Sequence, residues 1–169
     1  MKVIKADLIR RRKQRIKRRL ENSYRHDRGK PMFAGSNTRY ELAEKTGGTA
    51  YGGIAAIHTL VKKLKLPERI DKKLHLFQKH LPYHESDHVL NLAYNALCGG
   101  TCLQDIETRR NDEFFLDSIG AERIPDPTTA GDFCRRFKPC DIECLQEAFD
   151  DVRKDVWKQQ EDSFFAQAT

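Results

Sequence analysis

Glycine and proline divide the second half of the chain into short segments, and apolar residues recur at helical spacing within each segment. The strongest breaks are Gly99-Gly100, Pro125 with Pro127, and Pro139. Short amphipathic helices cannot bury their apolar faces alone and must pack on one another. The sequence therefore predicts a mainly α fold, a multi-helix bundle.

Capping rules predict where these helices begin. After a helix from Ile54 that ends at Leu66-Pro67, the next is predicted over residues 68–80. The other predicted starts are Ser86 as N-cap of a central helix, Thr101 with Gln104 as a capping box, Asp126 as N-cap before Pro127, and Asp141 as cap of the last helix. That last helix is predicted to have one apolar seam of heptad-like spacing: Ile142, Leu145, Phe149, Val152 and Val156. Residues 164–169 have β character and predict the start of a β-strand.

Positive charge is concentrated at the N-terminus. The net charge of the chain is +6, but residues 1–30 hold 13 Lys/Arg against 3 Asp/Glu, so residues 31–169 sum to −4. Such a basic arm favours a polyanion, because each cation that neutralises a phosphate releases condensed counterions. The alternative is a solvated tail. The cations predicted to contact DNA here are Arg10, Arg11, Arg12, Lys13, Arg15, Lys17, Arg18 and Arg19.

Short helices joined by tight turns over residues 86–138 are typical of a helix-turn-helix. The segment from Asp126 to Phe137 would suit the recognition helix. Its outward residues, predicted to contact phosphate or base edges, are Thr128, Thr129, Arg135 and Arg136. The alternative is that the two arginines only solvate a helix face.

Residues 84–88, His-Glu-Ser-Asp-His, fit the H-E-x-x-H pattern of zinc hydrolases. That chemistry needs both histidines on one helix, and a cap at Ser86 would leave His84 outside it. Two surface histidines and no metal site are therefore predicted. The five cysteines form no CxxC pair and are predicted to be mostly small buried hydrophobes in a reducing cytosol. No apolar run is long enough to span a bilayer, so no membrane partner is expected.

An ordered set of features resembles the N-terminal region of bacterial insertion-sequence transposases of the DDE type, in the subgroup called DDE transposase group 1. The resemblance covers roughly residues 40–169. The features are Tyr51-Gly-Gly-Ile-Ala-Ala-Ile57, Gly99-Gly100, Asp105-Ile106, Phe115-Leu116, Ile124-Pro-Asp-Pro-Thr-Thr129 and Arg136-Phe137.

The resemblance implies a division into three parts: a basic arm and linker (1–40), a helical DNA-binding and dimer-contact domain (41–160), and the start of an RNase H-like catalytic core cut short (161–169). In the family, three core carboxylates bind metal for strand cleavage and transfer. These acids match no residue of this chain, so no catalytic residue and no cofactor is expected in it, whereas Mg²⁺ is expected for the full-length family enzyme. The implied partners are double-stranded DNA at insertion-sequence terminal inverted repeats and a second copy of the chain, in the cytoplasm at the nucleoid. The alternative function is a free-standing helical DNA-binding regulator.

Overall fold

The computed structural model describes residues 2–20, 31–33, 48–80 and 82–160, without the side chains of residues 2–5 and 19. These ranges contain eight α-helices, one 3-10 helix and no strand, which confirms a mainly α multi-helix bundle. The helices are α1 (Lys2–Leu20), α2 (Ile54–Lys63), α3 (Leu66–Lys73), α4 (Glu85–Leu97), the 3-10 segment (Leu103–Asp105), α5 (Ile106–Arg110), α6 (Glu113–Ser118), α7 (Pro127–Cys134) and α8 (Pro139–Trp157). The predicted strand start lies outside the described residues.

Helices α3 and α4 form the centre of the bundle. Helix α3 packs on α2, α4 and α8, while α4 also packs on α5 and α7. Their buried apolar side chains, such as Ile70, Leu90 and Tyr94, join those of α6 and the loop after it in one core. Helix α1 adds Ile16 to the same core. None of the described helices combines the length and the apolarity needed to cross a bilayer.

The helix predicted over residues 68–80 was placed wrongly at both ends. Lys65 adopts a left-handed conformation with φ 52°, and α3 begins directly after it at Leu66, with Pro67 in the first turn. Proline fits there because the first-turn N–H groups have no intrahelical partner. The helix ends at Lys73, and residues 74–80 run as a non-helical segment towards α4.

Several predicted helix starts were shifted by a few residues. Helix α4 begins at Glu85, with His84 rather than Ser86 as its N-cap, because the Asp87 carboxylate accepts the His84 backbone N–H at 2.9 Å. Helix α8 similarly has Lys138 as N-cap, and Asp141 accepts its N–H at 2.8 Å from the third helical position.

The segment after α4 shows the same pattern of an acidic residue reaching back. Asp105, and not Gln104, closes the turn by accepting the backbone N–H groups of Thr101 and Cys102. The start of α7 was predicted correctly: Asp126 caps it through the Thr129 N–H, with Pro127 in the first position.

The Gly99-Gly100 turn needs both of its glycines, for different reasons. Gly99 has φ +76°, a conformation that residues with a Cβ rarely adopt. At Gly100 an added Cβ would overlap Asn95 Oδ1 and Arg109 Nη2. Gly100 therefore gives the buried Arg109 guanidinium room to donate its hydrogen bonds to Asn95.

The apolar seam predicted for α8 is only partly buried. Ala148 is fully buried, and Leu145 and Val152 pack against the core. Ile142 and Phe149 are exposed, because α8 turns the face containing Ala148 towards α3. Ion pairs from Arg69 to Asp155 and from Lys73 to Asp151 fasten that contact.

Candidate nucleic-acid interface

Helix α1 has one face against the bundle and one in solvent. Ile16 is buried, Ile9, Arg12 and Leu20 are half-buried, and Lys13 pairs with Glu107 of α5 at 2.6 Å. These positions follow the 3.6-residue repeat, so they share one side of the helix. The described part of the predicted basic arm, residues 2–20, is thus a helix that is anchored to the bundle by an apolar residue and an ion pair.

The opposite face of α1 is mostly cationic, and its other exposed polar side chains are Asp7 and Gln14. Its exposed basic side chains, called here the α1 basic face, are Arg10, Arg11, Arg15, Lys17 and Arg18. Within the described part of the chain, none of the five makes an ion pair. A groove against α6 is lined by Arg12 and also by Arg11 and Arg15 of the α1 basic face, together with Asp112 and Glu113. The Arg19 side chain is outside the described residues.

The four residues of α7 that are predicted to contact DNA differ in exposure and in the contacts that they already make. Thr128 is exposed, whereas the Thr129 hydroxyl donates to the Asp126 carboxylate at 2.8 Å. Arg135 is exposed and paired with Asp132 one turn earlier. Arg136 is also exposed, with its guanidinium 5.2 Å from the centre of the Phe77 ring. Helix α7 packs on α4 and the 3-10 segment, whereas α1 packs on α6. The two sets of residues predicted to contact DNA therefore lie on helices with different packing partners.

The H-E-x-x-H residues are buried, which corrects the prediction of two surface histidines. Glu85 accepts the backbone N–H groups of Leu76 and Phe77, at 2.8 and 2.9 Å, and its other oxygen lies 3.2 Å from His80 Nε2. The carboxylate thus organises the non-helical segment before α4. A zinc-site glutamate would instead have to be available to a metal-bound water.

Asp87 has a similar structural role. It accepts the backbone N–H groups of Met32 and Phe33, at 2.7 and 2.8 Å, besides that of His84. It therefore fastens residues 31–33, more than fifty positions earlier in the chain, to the start of α4. Burial raises the pKa of Asp87, against the three N–H donors that lower it.

The geometry does not bring the two histidines to a common metal. His84 stacks on His80 with ring centres 3.9 Å apart, whereas His88 stacks on Phe133 at 4.5 Å. No group of three His, Cys, Asp or Glu side chains within the described ranges is arranged to hold a metal ion.

The cysteine prediction was wrong about burial. All five cysteines are free thiols; Cys102, Cys134 and Cys140 are exposed, and Cys98 and Cys144 are half-buried. Cys98 packs against the core, whereas the other four lie near helix ends or along α8.

A pocket between α7 and the segment before α4 contains residues that the sequence did not single out together. It measures about 270 Å³, and Phe77, Tyr83, His88, Phe133, Lys79 and Arg136 lie in its wall. Phe77, Lys79 and Tyr83 come from the non-helical segment, and a helix prediction through residue 80 could not bring them beside α7. The available signal was the pair of aromatic residues, Phe77 and Tyr83, on either side of Lys79 and His80.

None of the protein-family models, curated proteins or solved structures with which the chain was compared matches it.

Proposed function

We propose that this chain binds double-stranded DNA, with the α1 basic face on the phosphate backbone. The observation that supports this most directly is the placement of five exposed cations on the outer side of a helix whose inner side is anchored by Ile16 and Lys13. A solvated tail needs no such anchor. An anchored helix presents its charges as a fixed surface, which lowers the entropy lost on binding.

The dimensions of the α1 basic face suit DNA. From Arg10 to Arg18 the helix rises by about 12 Å. Duplex DNA has one phosphate charge per about 1.7 Å of axis, so several phosphates lie within reach of this stretch. A helix also fits the major groove, which is about 12 Å wide. Thr128, Arg135 and Arg136 form a second, smaller contact in the proposal, because α7 leaves them exposed.

We further propose that the chain is the N-terminal, end-binding part of a DDE-type insertion-sequence transposase. The support is the order of its features, from the Gly99-Gly100 turn to the Pro-Thr-Thr start of α7, on a helical framework. In this proposal the chain recognises terminal inverted repeats at the nucleoid. The carboxylates that bind metal for strand transfer would lie in a separate catalytic core. Ile142, Phe149 and Trp157, exposed along α8, would support a homodimer contact.

A free-standing helical DNA-binding regulator is the second candidate, because the α1 basic face serves either function equally. The surrounding genes distinguish the two. A transposase predicts coding sequence for a catalytic core beside this frame, between inverted repeats that the protein binds more tightly than unrelated DNA.

The DNA-binding proposal is tested by replacing the five cations of the α1 basic face with glutamine and measuring duplex affinity against salt concentration. Each lost phosphate contact flattens the slope of log K against log salt by about 0.9, so five contacts would reduce it by about 4.5. The matched control replaces five exposed cations of the body: Lys63, Lys72, Arg153, Lys154 and Lys158. This control changes the net charge equally and should alter the slope by less than about 1. Equal slopes in the two variants would contradict the proposal.

A further inference from the structure

Helix α8 has an exposed apolar stripe on a side that α3 does not cover. Ile142, Phe149 and Trp157 are 49%, 37% and 51% exposed. At 3.6 residues per turn they fall within about 80° of arc and extend for about 22 Å along the helix. Gln146 and Arg153, also exposed, lie between them. Single exposed apolar residues are common, but an aligned stripe bordered by polar side chains is typical of a contact surface.

The stripe is symmetric about its centre. Ile142 and Trp157 are equally far from the point midway between residues 149 and 150. The same holds for Gln146 and Arg153. A twofold axis at this point would place a second copy of α8 antiparallel to the first, with Ile142 facing Trp157 of the second copy and the two Phe149 rings meeting at the axis. A surface complementary to its own rotated copy is what a twofold dimer requires.

The charges beside the stripe also fit an antiparallel pair. One flank of α8 has Glu143 and Glu147 in the first half of the helix and Lys154 and Lys158 in the second half. The twofold axis brings this flank of the two copies together in opposite directions. Each acid then lies within about 3 Å, measured along the helix axis, of a lysine of the other copy. A parallel pair would instead set like charges against each other, which is unfavourable.

Two of these charges are available for such a contact. Glu143 and Lys154 are exposed, and neither makes an ion pair among the residues that the structure describes. Glu147 and Lys158 each have an ion pair within the chain, and their side chains are still 67% and 76% exposed. The pairing of Glu143 with Lys154 therefore gives the contact its direction.

We propose that two copies of this chain pair through α8 in antiparallel orientation, with the twofold axis beside Phe149. The acid nearest the axis, Asp150, is paired with Arg153 of its own chain, which reduces repulsion between the copies. The strip on each helix is roughly half of the 800 Å² or so that each partner buries in a standard interface. The dimer is therefore expected to exchange with the monomer and to dissociate on dilution.

This inference deepens the homodimer contact of the transposase proposal, on which it rests, by naming the surface and its direction. It does not depend on the α1 basic face, because α1 packs on α6 whereas α8 packs on α3. Dimerisation can therefore be measured without DNA, and duplex affinity can be measured separately.

Sedimentation equilibrium of the full chain measures the pairing. The mass should rise with concentration from 19.6 kDa towards twice that value. Phe149→Asp places two further carboxylates at the axis and should weaken dimerisation at least about tenfold. The matched control is Leu60→Asp, the same change at an exposed leucine of α2, and it should leave the dissociation constant unchanged. A monomer at every concentration up to about 1 mM, or an equal loss in both variants, overturns the proposal.

Exchanging charges tests the direction of the pair. Glu143→Lys and Lys154→Glu should each weaken dimerisation about fivefold, because each sets like charges against each other at two symmetric places. The double variant restores opposite charges and should dimerise more tightly than either single variant. In a parallel pair each single change only exchanges one like pair for another, so single variants that dimerise as the parent does would overturn the antiparallel arrangement.

These two exposed positions decide the outcome even if Phe149→Asp unfolds, which circular dichroism detects. Anisotropy of a labelled duplex is measured in parallel with the same proteins. A chain that dimerises without binding duplex contradicts the DNA-binding proposal alone. A chain that binds duplex and stays monomeric contradicts the α8 dimer alone.

Discussion

Acid should destabilise this protein through His88, and the effect can be worked out from the position of that side chain. Burial, helped by the nearby Arg136 charge and opposed by Glu85 and Asp126, lowers the pKa of His88 from 6.5 to about 4. The folded protein thus holds the ring neutral, whereas the unfolded chain takes up a proton at its usual pKa. The stability that depends on the neutral ring is complete above pH 6.5 and is lost as the pH falls from 6.5 to about 4.

The size of this loss follows from the two pKa values. Each unit of difference corresponds to 1.36 kcal/mol, so protonation linked to His88 should remove about 2 kcal/mol of stability by pH 5 and about 3 kcal/mol by pH 4. Such a loss is a large part of the total for a domain of ordinary stability, about 5–15 kcal/mol.

The perturbation is His88→Phe, which cannot titrate and fits among Phe77, Tyr83 and Phe133. The assay is urea unfolding at pH 7 and pH 4.5, followed by circular dichroism. The free energy of unfolding should fall by about 2–3 kcal/mol less in the variant than in the parent protein over this interval. His75→Gln, at an exposed histidine, is the control and should fall as the parent does. If the parent and His88→Phe lose the same stability, His88 is not held neutral in the fold and the reasoning fails.

Two further predictions concern the start of α4. Asp87→Asn should lower the free energy of unfolding, measured in urea, by about 2–4 kcal/mol. The carboxylate receives three backbone N–H groups whereas an amide has one acceptor oxygen, and a hydrogen bond to a charged group contributes about 1.5–3 kcal/mol. A change below about 0.5 kcal/mol, similar to that of the control Asp150→Asn, would contradict this role. The purified protein should hold no stoichiometric zinc by elemental analysis, since Glu85 is engaged by two backbone N–H groups and the two histidine rings stack on different partners; one tightly bound zinc that is lost in His88→Ala would reverse the conclusion.

The sequence alone was sufficient for the fold class and for several local features. Helical periodicity with glycine and proline breaks predicted the helical bundle, and the Asp126-Pro127 start of α7 was placed correctly, because capping depends on residues within one turn of each other. The exposure of Thr128, Arg135 and Arg136 on α7 also followed from spacing. The concentration of positive charge near the N-terminus followed directly from counting the Lys, Arg, Asp and Glu residues.

The tertiary structure decided which face of each helix is covered. On α8 the apolar spacing alone could not tell that Ala148 would be buried and Ile142 exposed, because that choice depends on how α8 packs against α3, a helix far away in the sequence. It also decided the role of residues 84–88. A carboxylate that accepts backbone N–H groups from positions 8 to 55 residues away looks, in sequence, the same as one in solvent. Partners so far apart along the chain leave no periodic signal, and only the packed chain brings them within hydrogen-bonding distance.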